Sequence, residues 1–150
     1  MNSFKLLQTS HQKVTESFSL IKNSVDRYLP LNQDKKYSPI ELEYYDALSD
    51  RFIRSIEIFL KFFRSYNFYL SAESTDTIRD LLNRMEKLGL ISGTNIWMEM
   101  REIRNKIVHD YLPDQIYTLY ESIINKYWPE IENTFRIINS KVKHITNEGD

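Results

Sequence analysis

The sequence predicts an all-α protein folded as an up-and-down helical bundle, and three observations carry that prediction. Apolar residues recur at spacings of three and four along most of the chain. Only 3 Gly and 4 Pro in 150 residues leave little material for turns, so a few long helices fit best. No segment alternates apolar and polar residues with the period of two that a half-buried strand requires. The length is that of one domain, 1–150, with a single sizeable core.

From Phe4 the apolar positions are Leu7, Val14, Phe18, Ile21 and Val25, with His11 in the one remaining slot, which predicts a first helix with a narrow seam. The stretch from Leu31 to Tyr37, with Asn32-Gln33-Asp34-Lys35-Lys36, reads as a loop. Ser38-Pro39-Ile40-Glu41 then supplies an N-cap, a proline at the first helical position and a glutamate able to close a capping box. The second helix is expected to run to about Tyr66, burying Leu42, Tyr45, Leu48, Phe52, Ile56, Phe59 and Phe63. Its apolar breadth exceeds one core-facing stripe, which predicts contact with another subunit.

Nine of the twenty aromatics lie between Tyr44 and Tyr69. Aromatics can stack the bases of single-stranded RNA, but helical spacing without a basic stripe or interleaved glycines favours core or interface. Ser74-Thr75-Asp76 offers caps for a third helix through Ile78, Leu81, Leu82, Met85 and Leu88, with Gly89 as its C′ residue. Thr94 or Asn95 opens the fourth, about 94–112, and Pro113 ends it. A last stretch carries Ile116, Leu119, Ile123, Ile124, Tyr127, Ile131, Phe135, Ile138 and Val142, kinked or restarted at Pro129, with a frayed tail over 144–150. Trp97 and Trp128 are expected core anchors.

A net charge of −1 and a pI near 6.3 give no global sign of nucleic-acid binding, so any RNA contact must be local. Without cysteine there is no disulfide and no thiolate nucleophile or ligand. The opening MNSFKLLQTSHQK has no continuous apolar core, and no run approaches the roughly 20 apolar residues that span a bilayer, so a cytoplasmic location without membrane association is expected. His11 lacks a second ligand at a useful spacing and reads as a core or interface histidine. There is no Gly-rich phosphate loop and no nucleotidyltransferase signature.

The fourth helix holds the candidate chemistry. On a wheel of about 100° per residue, Ile96, Met100, Ile103 and Ile107 form a buried stripe, while Arg101, Asn105 and His109 share another face. Arg104 falls between Trp97 and Tyr111, inside or at the margin of the apolar arc, where a desolvated guanidinium needs a partner. The partner is either an internal carboxylate, such as Asp46, Asp50 or Glu57, or a ligand anion. Asp110 also falls on the apolar side, so the helix is expected to lose ideal geometry near His109. On an ideal helix Arg104 and His109 stand about 140° apart, a gap that two copies meeting about a two-fold axis would close. Such a cleft suits RNA cleavage by its own 2′-hydroxyl. A near-neutral His moves the proton, an Arg holds charge on phosphorus, and no metal or other cofactor is needed. In the competing structural reading, Arg104 pairs with a core carboxylate and His109 is a helix C-terminal cation.

The segment from Met98 to Tyr111, Met-Glu-Met-Arg-Glu-Ile-Arg-Asn-Lys-Ile-Val-His-Asp-Tyr, resembles the signature helix of HEPN domains, whose pattern is Arg, four residues, His, any residue, Tyr. The closest resemblance is to the toxin-type, nucleotidyltransferase substrate-binding subgroup. Thr77 to Gly89 and Tyr44 to Arg64 extend it over roughly Leu42 to Trp128. The resemblance implies a four- or five-helix bundle, a homodimer with a composite active site and metal-independent ribonuclease activity. It assigns Arg104 to phosphate stabilisation, His109 to acid-base work and Asn105 to positioning of the pair. It further implies a toxin–antitoxin pair, in which a small MNT-type nucleotidyltransferase antitoxin transfers AMP onto Tyr111 and silences cleavage of tRNA or mRNA. The supporting polar residue on the second helix stays open among Asp46, Asp50, Arg54 and Glu57. A non-catalytic substrate- or nucleotide-binding subunit of the nucleotidyltransferase is the alternative, and a purely structural dimer the third.

Overall fold

The computed structural model describes residues 2–75, 77–109 and 113–148, the side chains of 105, 107–109 and 113–115 excepted. Helix α1 spans Ser3–Asp26, α2 Pro39–Ser71, α3 Ile78–Lys87, α4 Thr94–His109, α5 Pro113–Ser122 and α6 Trp128–Glu148, with one π-helical turn at Ile123–Tyr127 joining the last two. Among the described residues all regular structure is helical, arranged as an up-and-down bundle.

Local chemistry sets the helix ends. Ser38 caps α2 as the sequence indicates: its hydroxyl accepts from Glu41 N, and the Glu41 carboxylate accepts from Ser38 N, a reciprocal capping box. Helix α2 continues past Tyr66 to Ser71 because its last turn still has partners inside the bundle. Tyr66 and Asn67 are buried, and Asn67 Nδ2 donates to Glu73 O at 3.2 Å. Ala72 then closes it at φ 56°, with its N–H on Phe68 O. Helix α3 is capped by Thr77, whose hydroxyl accepts from Asp80 N at 3.0 Å, later than the expected caps at Ser74-Thr75-Asp76. Asp76 itself lies outside the described residues. Gly89 adopts φ +80° and ends α3 where expected, with Leu90 N donating to Met85 O.

Helix α2 is the centre of the bundle. Tyr45, Leu48, Phe52, Ile56, Phe59, Leu60, Phe62, Phe63 and Tyr66 are all buried, because α1 covers one side, α3 and α4 another, and α5 with the π turn a third. Much of that apolar breadth is used within one chain, while Ile40, Leu42, Phe68 and Leu70 of α2 remain exposed, Leu42 against the expectation that it is buried. Serines bring α1 close to α2: Ser10 pairs with Ser65 at 2.8 Å and Ser17 with Ser55 at 2.9 Å, small side chains that let the backbones approach. Leu7, Val14 and Ile21 form the buried seam. His11 hydrogen-bonds Asn139 at 2.8 Å, as an interface histidine between α1 and α6.

Pro113 begins α5 as well as following α4. At Pro129 the helical run does not stop, and just before it the helix widens by one residue, with Trp128 N–H bonding Ile123 O. Proline has no N–H for the carbonyl four residues back, and its ring crowds that group; the wider turn absorbs both problems. Helix α6 runs through Glu148, beyond the expected fraying at 144, because Val142 is buried and Ile145 packs on the core. No helix among the described residues is long and apolar enough to cross a membrane.

Candidate functional site

The start of α4 is fixed by side chains from three other segments. Thr94 N donates to Glu86 Oε1 at 2.8 Å, and Thr94 Oγ1 to Asn83 Oδ1 at 2.7 Å. Trp97 is fully buried between Phe59 and Phe63, its ring centroid 5.8 and 5.1 Å from theirs. Its Nε1 donates to Glu130 Oε2 at 2.7 Å, and the same buried carboxylate accepts from Ser92 N at 3.0 Å and Ser92 Oγ at 2.7 Å. Glu130 was not legible as important in the sequence: only the fold brings Ser92 and Trp97 to it. Further along, Glu99 receives Lys126 Nζ at 2.8 Å and the Tyr127 hydroxyl at 3.3 Å. The Lys126 hydrogen bond holds the Glu99 carboxyl below its ordinary range, and burial pushes the Tyr127 hydroxyl up.

Arg104 lies at the margin of the apolar arc, the outer of the two places the wheel allowed, and not inside it. Its side chain is 60% exposed, and its Nη1 lies 2.6 Å from Glu57 Oε1 on α2. Met100 and Ile103 of α4 are buried beside it, while the Arg104 guanidinium reaches out to Glu57 on α2. Of the carboxylates named as partners, Glu57 makes the contact, and Asp50 pairs with Arg54 instead. An exposed pair of this kind contributes about 0–1 kcal/mol, so its value is orientation rather than stability.

Arg104 stands on the rim of a groove of about 350 Å³ between α2, the start of α3 and α4. Ile53, Ile56, Leu60, Ile78 and Met100 supply its apolar lining, and Glu57, Lys61, Arg64, Arg101 and Arg104 its charges. Four cations face one carboxylate in a chain whose net charge is −1. Lys61, Arg64 and Arg101 form no ion pair among the described residues. Their pattern was present in the sequence, with Glu57, Lys61 and Arg64 at spacings of four and three on α2, opposite Arg101 and Arg104 on α4. Spacing alone does not mark it, because the aromatics of α2 dominate the same stretch and only the fold sets Lys61 and Arg64 beside Arg101 and Arg104.

The backbone of α4 is helical through His109; Asp110, on which the expected loss of ideal geometry near His109 rested, lies outside the described residues. Arg104 and His109 therefore keep the roughly 140° separation of an ideal helix, and one copy of α4 does not bring their backbone positions onto one face. The side chains of Asn105 and His109, and Tyr111 altogether, lie outside the described residues.

Fold and groove together define the class: a small all-α bundle whose fourth helix carries an arginine-rimmed, net-cationic surface. The family model described as nucleotidyltransferase substrate binding protein like matches residues 3–139, and the chain belongs to that family. No curated protein matches the chain.

Proposed function

We propose that this protein is the ribonuclease toxin of a HEPN/MNT toxin–antitoxin pair, cutting RNA without a metal and silenced by its nucleotidyltransferase. The observation that carries this reading is Arg104, held by Glu57 at an open cationic groove on the helix that also bears His109. A guanidinium with no structural need to be there is suited to a phosphate. In this mechanism His109 takes the 2′-OH proton or protonates the leaving oxygen, Arg104 bears the charge developing on phosphorus, and Asn105 positions the pair. Two copies related by a two-fold axis would complete the cleft, each α4 supplying its Arg and His. Transfer of AMP to Tyr111 by the partner enzyme would place bulk and negative charge where the RNA phosphate must sit.

The family description, which speaks of substrate binding, supports a second reading: a non-catalytic subunit that presents substrate or nucleotide to the nucleotidyltransferase. Incubation of the pure protein with total RNA in chelator, beside its His109→Ala variant, separates the two. Cleavage by the wild type alone supports the nuclease. Intact RNA with both proteins, the wild type proven unmodified by intact mass, supports the binding subunit. Tyr111→Phe is expected to retain cleavage and escape the antitoxin; loss of cleavage in that variant would put the tyrosine in the chemistry.

A further inference from the structure

We infer that the groove between α2 and α4 is a track for the backbone of single-stranded RNA, in which Lys61, Arg64 and Arg101 hold phosphates flanking the one at Arg104. The inference rests on the proposed function only in taking RNA as the ligand; it requires no cleavage.

Phe59 and Phe63 pack on Trp97, while Glu57, earlier on α2, meets Arg104, later on α4. The two helices therefore run antiparallel along the groove. Glu57 to Arg64 spans about 10 Å of helix axis at 1.5 Å per residue, which is longer than one phosphate group needs. Cations are spread along that length: Arg104 beside Glu57 at one end, Lys61 one turn further along α2, Arg64 at the other end, and Arg101 across from them on α4. All four are exposed, and three of them form no ion pair among the described residues; a solvent-facing row of like charges repels itself unless a polyanion lies across it. A lone nucleotide would satisfy one end and leave the rest unanswered.

The lining also says what is read. No aromatic ring lines the groove among the described residues, so it lacks the stacking platform on which proteins hold successive bases. Its apolar part is aliphatic, able to cover sugar and base edges without discriminating among them. The groove thus contributes affinity and direction of the strand, and little base preference.

The test uses fluorescence anisotropy of a labelled 2′-O-methyl oligouridylate, which binds but cannot be cut, across a series of salt concentrations. For single strands each phosphate contact contributes about 0.7 to the slope of log affinity against log salt. The Lys61→Gln/Arg64→Gln/Arg101→Gln variant is expected to lose about 2 units of slope relative to the wild type. A variant with the same charge removed elsewhere on the surface, Lys5→Gln/Lys13→Gln/Lys143→Gln, is expected to keep its slope. Circular dichroism confirms that each protein is folded. An unchanged slope in the groove variant, an equal loss in the control, or no binding by the wild type overturns the inference, the last leaving the groove to an acidic protein partner. Cleavage of ordinary RNA by the wild type is scored alongside. Cleavage with an unchanged groove slope refutes the track and not the nuclease; slope loss without cleavage refutes the nuclease and not the track.

Discussion

The two halves of α4 are built from opposite chemistry. In the first half, Thr94 and Trp97 are enclosed, and their N–H and O–H groups donate to Glu86, Asn83 and Glu130. Towards the other end, the Arg101 and Arg104 side chains stand in solvent beside buried Met100 and Ile103, and an ion pair to Glu57 orients the Arg104 guanidinium. The contrast teaches that one helix can separate the two tasks along its axis. The buried end fixes position at a high energetic stake, and the exposed end presents charge at almost none.

That division is broken most severely from the buried end. Trp97→Ala is expected to destabilise the fold by about 3–5 kcal/mol and also to remove one donor from the Glu130 carboxylate. Urea unfolding measures it, and a loss under about 1 kcal/mol would mean that α4 is not anchored there. At the exposed end, Arg104→Ala should lower RNA cleavage by about 10²–10³ while changing stability by no more than about 1 kcal/mol. A large drop in melting temperature would instead make Arg104 a structural residue. Glu57→Gln sharpens the contrast further. It removes the only carboxylate lining the groove among the described residues, so oligonucleotide affinity should rise a few-fold in anisotropy while cleavage falls, by less than in Arg104→Ala. Weaker binding would make Glu57 an RNA contact in its own right.

The smallest effect is expected far from α4, at the start of α2. Hydrogen bonds from Lys35 and from Ser38 N–H bring the Glu41 carboxyl down to about 2 from an ordinary value of 4.5. Because the folded value is depressed, the contribution of this capping box is complete above about pH 4.5 and is lost as pH falls towards 2. NMR titration should show Glu41 moving back towards 4.5 in Lys35→Met, and oligonucleotide binding by that variant should match the wild type. Altered binding would connect the two ends of the bundle.

What the sequence disclosed follows the range of the forces involved. Ser38 with Glu41, and Gly89 after α3, act within a few residues, so caps and termini were readable from spacing alone. Trp97 and Trp128 were readable as anchors because large apolar side chains at helical spacing have few other uses. The exposure of Arg104 was not readable, since a wheel knows the direction of a side chain and not which neighbours cover the edge of its arc. Glu57 was named among its possible partners, but only the packing of α2 on α4 selects it over Asp46 and Asp50. The breadth of α2 was ambiguous for a related reason: a helix buried on several sides within one chain and a helix shared between two chains have the same periodicity. Glu130 illustrates the limit most plainly, a carboxylate whose role depends on a loop 38 residues earlier in the chain.

The π-helical turn at Ile123–Tyr127 makes the chain's length negotiable at one place. Elsewhere in a helix, loss of a residue turns everything beyond it by about 100° and pulls the apolar face out of the core. Here the wider turn already holds one residue more than an α-helix would. Deleting a residue within it would tighten the turn and leave Ile131, Ile138 and Val142 facing as they do now. A relative one residue shorter at this point could keep its whole last helix in register, so the turn marks where an insertion or deletion can pass through descent without rebuilding the fold.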